Sequence, residues 1–279
     1  MNKFCFLDNK FINSLKGQIS ISDLGFLRGF AVFDLAVAKG KNIFMEEEHL
    51  KRLEISAKML ALKMPFSKEK ISAITKELLT KNKVRNRALI RWLIFAKESS
   101  NGHISKKISM AVLNENYHYY TKKLYLEGIN LMMVDIQREI PQAKTTNYQI
   151  VYSLYPEMAK KGFFELLYAP NGNILEAGTS NFFMVKSGQL ITPQKDVLLG
   201  VTRGVVIKLA KFQKIPVHER KIKIGEINNC QEAFITASNK KVMPVVKINH
   251  EIIGNGHPGP ITKKLMQIFE IFEEKQLSK

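Results

Sequence analysis

Pro141-Gln142-Ala143-Lys144-Thr145-Thr146-Asn147-Tyr148 is the stretch on which the chain turns. A strand-like apolar run over 129–136 precedes it, and a helix-like run near 148–161 follows, with Asn147 or a threonine available as its cap. Lys144 therefore stands at an element junction. Two readings are open for it. Either it is a solvated surface lysine, or it faces a cleft where burial and cationic neighbours lower its pKa. A lowered pKa is what an imine-forming amine requires.

Further along, Gly172-Asn173-Ile174-Leu175-Glu176-Ala177-Gly178-Thr179-Ser180-Asn181 leads from a turn through a short strand to an acid among small residues. Glu176 is either an exposed loop acid or a carboxylate placed beside a ring nitrogen. Leu198-Leu199-Gly200-Val201-Thr202-Arg203-Gly204 opens an apolar helix. It reads as an ordinary start capped by Thr202 or as an anion site built from free N–H groups. Thr236-Ala237-Ser238-Asn239, after a strand over 233–235, is a second hydroxyl-bearing loop able to face a phosphate. Upstream, His49 and Arg52 lie one turn apart on a helix face. Arg52 suits a two-point clamp on phosphate or a surface pair with an acid. Arg91 interrupts the apolar run Leu89-Ile90-Arg91-Trp92-Leu93-Ile94-Phe95. It must be paired, lie on the polar face of an edge strand, or await an anion such as a substrate carboxylate.

Around these motifs the periodicity predicts helices over 46–62 and from Ser67 onward, and strands over 88–96 and 108–113 with a turn at 99–102. A weak pattern from about 114 to 126 reads as a linker. Strands near 163–169, 181–186, 189–192, 215–223 and 232–237 follow, with helices at about 202–213 and 262–275. Strands and helices mix without strict βαβ alternation. The fold class is α/β (α+β) in two domains, an N-terminal one over 1–117 and a C-terminal one over 129–279, joined by 118–128.

Composition narrows the function. The 279 residues are 45% hydrophobic, enough for a core in each domain. Cys5 and Cys230 show no metal-ligand spacing and no disulfide framework, which points to a reducing, cytoplasmic setting and to no metal. The apolar patch Phe4-Cys5-Phe6-Leu7 is too short for a signal peptide, and no run approaches a membrane span. The net charge of +18 is spread along the chain rather than clustered, and no nucleic-acid motif accompanies it. Neither nucleic acid nor membrane is expected as a partner.

The order and spacing of the motifs carry a resemblance that none of them carries alone. From Ser22-Asp23-Leu24-Gly25-Phe26-Leu27-Arg28-Gly29-Phe30-Ala31-Val32-Phe33-Asp34 to Gly254-Asn255-Gly256, Gly259 and Thr262, nearly the whole chain resembles the class IV aminotransferases. These are fold type IV enzymes of pyridoxal 5'-phosphate (PLP), and they include branched-chain aminotransferase, D-amino acid aminotransferase and aminodeoxychorismate lyase. The resemblance implies Lys144 as the Schiff-base lysine and Glu176 as the pyridinium partner. It implies Tyr148 near the ring hydroxyl, with Arg52, the Val201 and Thr202 amides and Ser238 around the phosphate. Phe33, Arg91 and Arg28 fall on the substrate side. It further implies two α/β domains with the cofactor between them, and a homodimer with composite active sites. The activity implied is transfer of an amino group between an amino acid, branched-chain L-amino acids first, and a 2-oxo acid. The lyase and the D-amino acid enzyme are the alternatives. The chain departs from the family pattern at Arg28, where an aromatic residue is common, at Asp34, where glutamate is common, and at Trp92, where a proline is frequent. Leu35, near where some lyases carry a catalytic threonine, speaks against the lyase.

Overall fold

The computed structural model describes residues 3–98 and 107–279, so the turn expected at 99–102 lies outside the described residues. Two compact units are present. The first contains the described residues up to His118 together with Ala143–Asn147 and Glu273–Lys279. It is built on β1 (Phe4–Leu7), β2 (Lys10–Asn13), β3 (Ala31–Lys39), β4 (Asn42–Ile43), β5 (Arg87–Ala96) and β6 (Ile108–Asn116). The short α1 (Leu24–Leu27) and the longer α2 (Glu46–Met59) and α3 (Lys68–Lys81) accompany them. The sheet runs β2-β1-β6-β5-β3-β4, with every pair antiparallel.

Side chains alternate across this sheet. Val32, Asp34 and Ala36 on β3, with Ile90, Trp92 and Ile94 on β5, are fully buried. The apolar ones join a core with Leu50, Leu53 and Ala57 of α2 and Ile71 and Leu78 of α3. Both helices form as predicted. Acids fill the first turn of α2, and Ser67 Oγ accepts the Lys70 N–H at the start of α3. Phe33 and Leu35 on β3, Arg91 and Leu93 on β5, and Leu113 and Glu115 on β6 fall on the opposite face by register.

No periodicity marks β3, because Ala31–Lys39 is an apolar run broken only by Asp34. Yet this strand organises the unit. β4 covers only its last two residues, leaving the edge of its first half open. Ala143–Asn147 fills that edge. Val32 and Thr145 form an antiparallel bridge, the Phe33 N–H donates to Lys144 O at 2.9 Å, and the Thr146 N–H donates to Ala31 O at 3.2 Å. Lys144 thereby belongs to the first unit and not to an uninterrupted 129–279 domain, since backbone hydrogen bonding rather than chain order decides where it sits. The C-terminal residues return to this unit too, where Arg87 pairs with Glu273 and Glu274 at 2.6 and 2.8 Å.

The second unit comprises Tyr119–Gln142 and Tyr148–Phe272. The expected linker contains a helix, α4 (Lys122–Glu127). Then come β7 (Ile129–Val134), α5 (Gln149–Lys160), β8 (Glu165–Tyr168), β9 (Asn173–Ile174), β10 (Asn181–Lys186), β11 (Gln189–Thr192) and α6 (Val201–Phe212). They are followed by β12 (Val217–Glu219), β13 (Ile222–Lys223), β14 (Glu232–Ala237), β15 (Lys241–Ile248), β16 (Glu251–Ile252) and α7 (Pro260–Leu277). The main sheet runs β12-β11-β10-β14-β15-β7-β8, with β16 beside β15 and β13 paired separately with β9. The single strand expected over 215–223 is thus two, in two sheets, and β15 is an element the pattern did not mark. Stacked Phe183 and Phe234, 4.8 Å apart, lie on paired β10 and β14.

Candidate active site

Each unit assembles one set of the expected site residues. In the first, the β3 edge fixes the Lys144 backbone, and its N–H donates to Ser56 Oγ of α2 at 3.0 Å. Its Nζ lies 4.5 Å from the centre of the Phe33 ring, a cation–π distance. The same ring carries the Arg91 guanidinium at 5.1 Å. Arg91 is not on an edge strand, because β5 is flanked by β3 and β6. It is paired instead. Arg91 Nε and NH2 donate to the two Glu115 oxygens at 2.5 and 3.1 Å.

On the helix side, Asp34 is fully buried and takes three charge-assisted bonds. Arg52 Nε and NH2 donate to it at 2.8 and 2.7 Å, and His49 Nδ1 lies 2.7 Å from Oδ1. Burial works to raise the carboxyl's pKa, but the facing Arg52 and His49 outweigh it and hold it well below the usual carboxylate range. Burial lowers His49, against the pull of Asp34, so its ring is neutral with Nδ1–H toward the carboxylate. Its Nε2 is buried with no hydrogen-bond partner among the described residues. Arg52 is therefore oriented by Asp34 rather than exposed as a surface pair. Arg28 stands apart from this group: it is exposed, and its NH1 donates to Leu27 O at 3.4 Å.

In the second unit Glu176 is buried and held as an acceptor on both oxygens. Arg138 NH1 donates to Oε1 at 3.2 Å; Asn181 Nδ2 and the Leu198 N–H donate to Oε2 at 3.3 and 3.0 Å. Asn181 also donates to Leu198 O at 2.6 Å, tying the carboxylate to the loop that opens α6. That helix starts at Gly200, not with a Thr202 cap; Thr202 is buried inside the first turn. The first N–H groups of a helix have no intrahelical acceptor, so Val201 and Thr202 present theirs at the positive end of the dipole. A Cβ at Gly200 would come within 2.0 Å of Asn181 Oδ1, so only glycine allows this approach. Tyr148, the first-turn boundary of α5, has no capping side-chain bond, and neither Asn147 nor a threonine caps this helix. Tyr168 lies close enough to Tyr148, Glu176 and Arg138 to feel all three, and burial pushes its phenol up to about 12. Ser238 is half-buried. The Thr236 hydroxyl two residues before it is buried without a partner among the described residues. The adjoining Lys240 is buried and anchored to Glu165 at 2.9 Å and Ser180 at 3.0 Å.

Arg138, Asn181, Thr236 and the Asp34–His49 pair stand among or against the expected site residues without having been singled out individually in the sequence. Asn181 and Asp34 stood inside quoted motifs. Thr236 stood in the quoted hydroxyl loop, though only folding shows its hydroxyl buried without a partner among the described residues; Arg138 gave no signal, because only folding brings it to Glu176.

The amino-transferase class IV family model matches residues 31–248. A Methanocaldococcus jannaschii protein named "Putative branched-chain-amino-acid aminotransferase" is 31% identical over 97% of this chain and 96% of its own length. A D-alanine aminotransferase of Staphylococcus aureus (strain N315) is 25% identical over 96% of this chain and 97% of its own. The fold matches Escherichia coli branched-chain amino acid aminotransferase with a TM-score of 0.91 at 24% identity, over 98% of this chain and 95% of that one. It also matches the branched-chain amino acid aminotransferase of Thermobaculum terrenum, solved in its PLP form, with a TM-score of 0.86 at 23% identity over 99% and 95%. The chain belongs to the class IV aminotransferase family, whose cofactor is PLP, and it is a transferase of amino groups.

Proposed function

We propose that this aminotransferase moves the amino group of branched-chain L-amino acids to 2-oxoglutarate with PLP. The observation that carries the reading is Lys144, fixed at the β3 edge with its amine against Phe33. The similarity at 31% to a protein named for branched-chain amino acids supports the substrate class.

The residues fit PLP. Glu176 is a buried carboxylate already surrounded by donors, suited to a protonated ring nitrogen. The α6 amides and the Thr236 hydroxyl beside Ser238, unpartnered among the described residues, suit an anion such as a phosphate. Bound PLP supplies an electron sink for the carbanion at the substrate Cα. Lys144 would be its covalent attachment point and, once displaced, the base that takes the Cα proton and delivers it to the cofactor's C4′ carbon, across the shared nitrogen. Arg52, the Val201 and Thr202 amides and Ser238 would hold the phosphate, and Tyr148 the ring hydroxyl. Asp34 aims the Arg52 fork. Phe33, Arg91 and Arg28 would line the substrate side.

The exposed apolar residues Leu15, Ile21 and Phe26 support a homodimer, with composite sites, formed through this N-terminal region. Two buried free cysteines support a cytoplasmic setting. Among the described residues no helix is long and apolar enough to cross a membrane.

The test is the visible absorption of the PLP-loaded protein before and after single amino acids. L-Leucine and L-glutamate should bleach the band, and 2-oxoglutarate should restore it. Bleaching by D-alanine alone would overturn the substrate class in favour of the D-amino acid enzyme. Sedimentation should give twice the 31.9 kDa chain mass; a monomer would reject the dimer.

A further inference from the structure

On the sheet face that carries Phe33, Glu115 is a charged group beside Arg91 for which the proposed chemistry has no use. Glu115, on β6, lies opposite Leu89 and diagonal to Arg91. Both of its oxygens are taken by the Arg91 fork, at 2.5 and 3.1 Å. The Arg91 guanidinium and the Lys144 amine lie against the same aromatic ring, 5.1 and 4.5 Å from the Phe33 centre respectively. A substrate whose nitrogen takes the place of Lys144 Nζ would therefore bind beside the ring that also carries this ion pair. The pair is open to exchange, since the Arg91 and Glu115 side chains keep 29% and 34% of their exposure. A planar fork that accepts one carboxylate at two points accepts another in the same geometry.

We infer that Glu115 is a specificity-determining residue, an internal carboxylate that Arg91 exchanges for the distal carboxylate of a dicarboxylic substrate. This rests on Lys144 being the attachment lysine. With a neutral side chain bound, Glu115 compensates the Arg91 charge beside an apolar group, where an unpaired cation is unfavourable. With a dicarboxylate bound, Glu115 is a competitor. One site then serves both a branched-chain amino acid and 2-oxoglutarate. Removing the competing carboxylate should favour dicarboxylates over neutral substrates, by roughly two- to fivefold for a pair this exposed.

The test is calorimetric titration of the PLP-loaded wild type, Glu115→Gln and Glu115→Asp with glutarate and with 4-methylpentanoate, neither of which can be transaminated. Glu115→Gln should bind glutarate roughly two- to fivefold more tightly and 4-methylpentanoate no more tightly. Glu115→Asp, with its carboxylate drawn back by one methylene, should fall between the two, and it decides the matter alone if the glutamine variant does not fold. The KM for L-glutamate relative to L-leucine should fall in the same order. An unchanged ratio of the two dissociation constants overturns the inference, since a merely structural ion pair would shift both acids alike. A wild type that binds both acids but transaminates neither amino acid would overturn the proposed function instead, and the binding ratio would still judge Glu115.

Discussion

At the scale of single residues, Lys144 and Asp34 give the sharpest tests, the first of the proposed function and the second of the buried cluster around Arg52. On the proposed function, replacing Lys144 by alanine removes both attachment point and proton carrier, and turnover of L-leucine with 2-oxoglutarate should drop at least about a thousandfold. Wild-type turnover in that variant would sink the assignment. Asp34 is read through stability. Asp34→Ala leaves Arg52 and the neutral His49 ring without their partner in a buried place, and should cost about 3–5 kcal/mol in denaturant unfolding. A loss below about 1 kcal/mol would mean that water reaches Arg52. The Asp34 pKa is depressed in the fold, so its stabilisation is present above about pH 4 and disappears as pH falls through the folded value. His49 has the same sign but a different window. Its folded pKa is also depressed, so the unfolded chain binds a proton that the folded one refuses once pH falls below about 6.5. Thermal melts from pH 8 to 5 should therefore slope more steeply for the wild type than for His49→Gln, and equal slopes would show a charged His49 in the fold. His49 and Arg52 were legible as neighbours one turn apart. Their convergence on Asp34 was not, because Asp34 comes from a strand fifteen residues earlier.

Among the elements, the start of α6 is the sharpest case. Gly200 lets the helix begin against Asn181, and Asn181 in turn holds Glu176 and Leu198 O. Gly200→Ala forces Asn181 aside and should cost about 1–3 kcal/mol, seen as a lower melting temperature. It should also weaken PLP retention, measured by release on dilution, because Glu176 loses one of its fixed donors. Unchanged melting and retention would mean the loop adjusts without moving the carboxylate. Helices α2, α3 and α6 were legible because each buries one face, which leaves a 3.6-residue pattern. β3 was not, since both of its faces meet other groups and no alternation survives. Trp92 stands where a proline is frequent in relatives, yet it fits its place. It lies on an interior strand and is fully buried, with its Nε1–H donating to Thr75 Oγ1 at 2.9 Å.

Taken whole, the chain carries a net charge of +18 and acts on anions: a phosphate-bearing cofactor and carboxylate substrates. That charge should steer them. Uptake of PLP by the cofactor-free protein should slow severalfold as salt rises from about 0.05 to 0.5 M, the range over which screening shortens to a few ångströms. A rate independent of salt would leave the charge without a part in binding.

The sequence by itself determined the family, the cofactor and the mixed α/β class. The family and the cofactor came through the resemblance that the order and spacing of the motifs carry, and the mixed α/β class through periodicity that each element records locally. The tertiary structure decided which unit Lys144 joins, what Arg91 and Arg52 are paired with, and that β5 is an interior strand. Those outcomes depend on hydrogen bonds and ion pairs between residues distant in sequence, such as Phe33 with Lys144 and Arg91 with Glu115. No periodicity records a partner that only folding supplies.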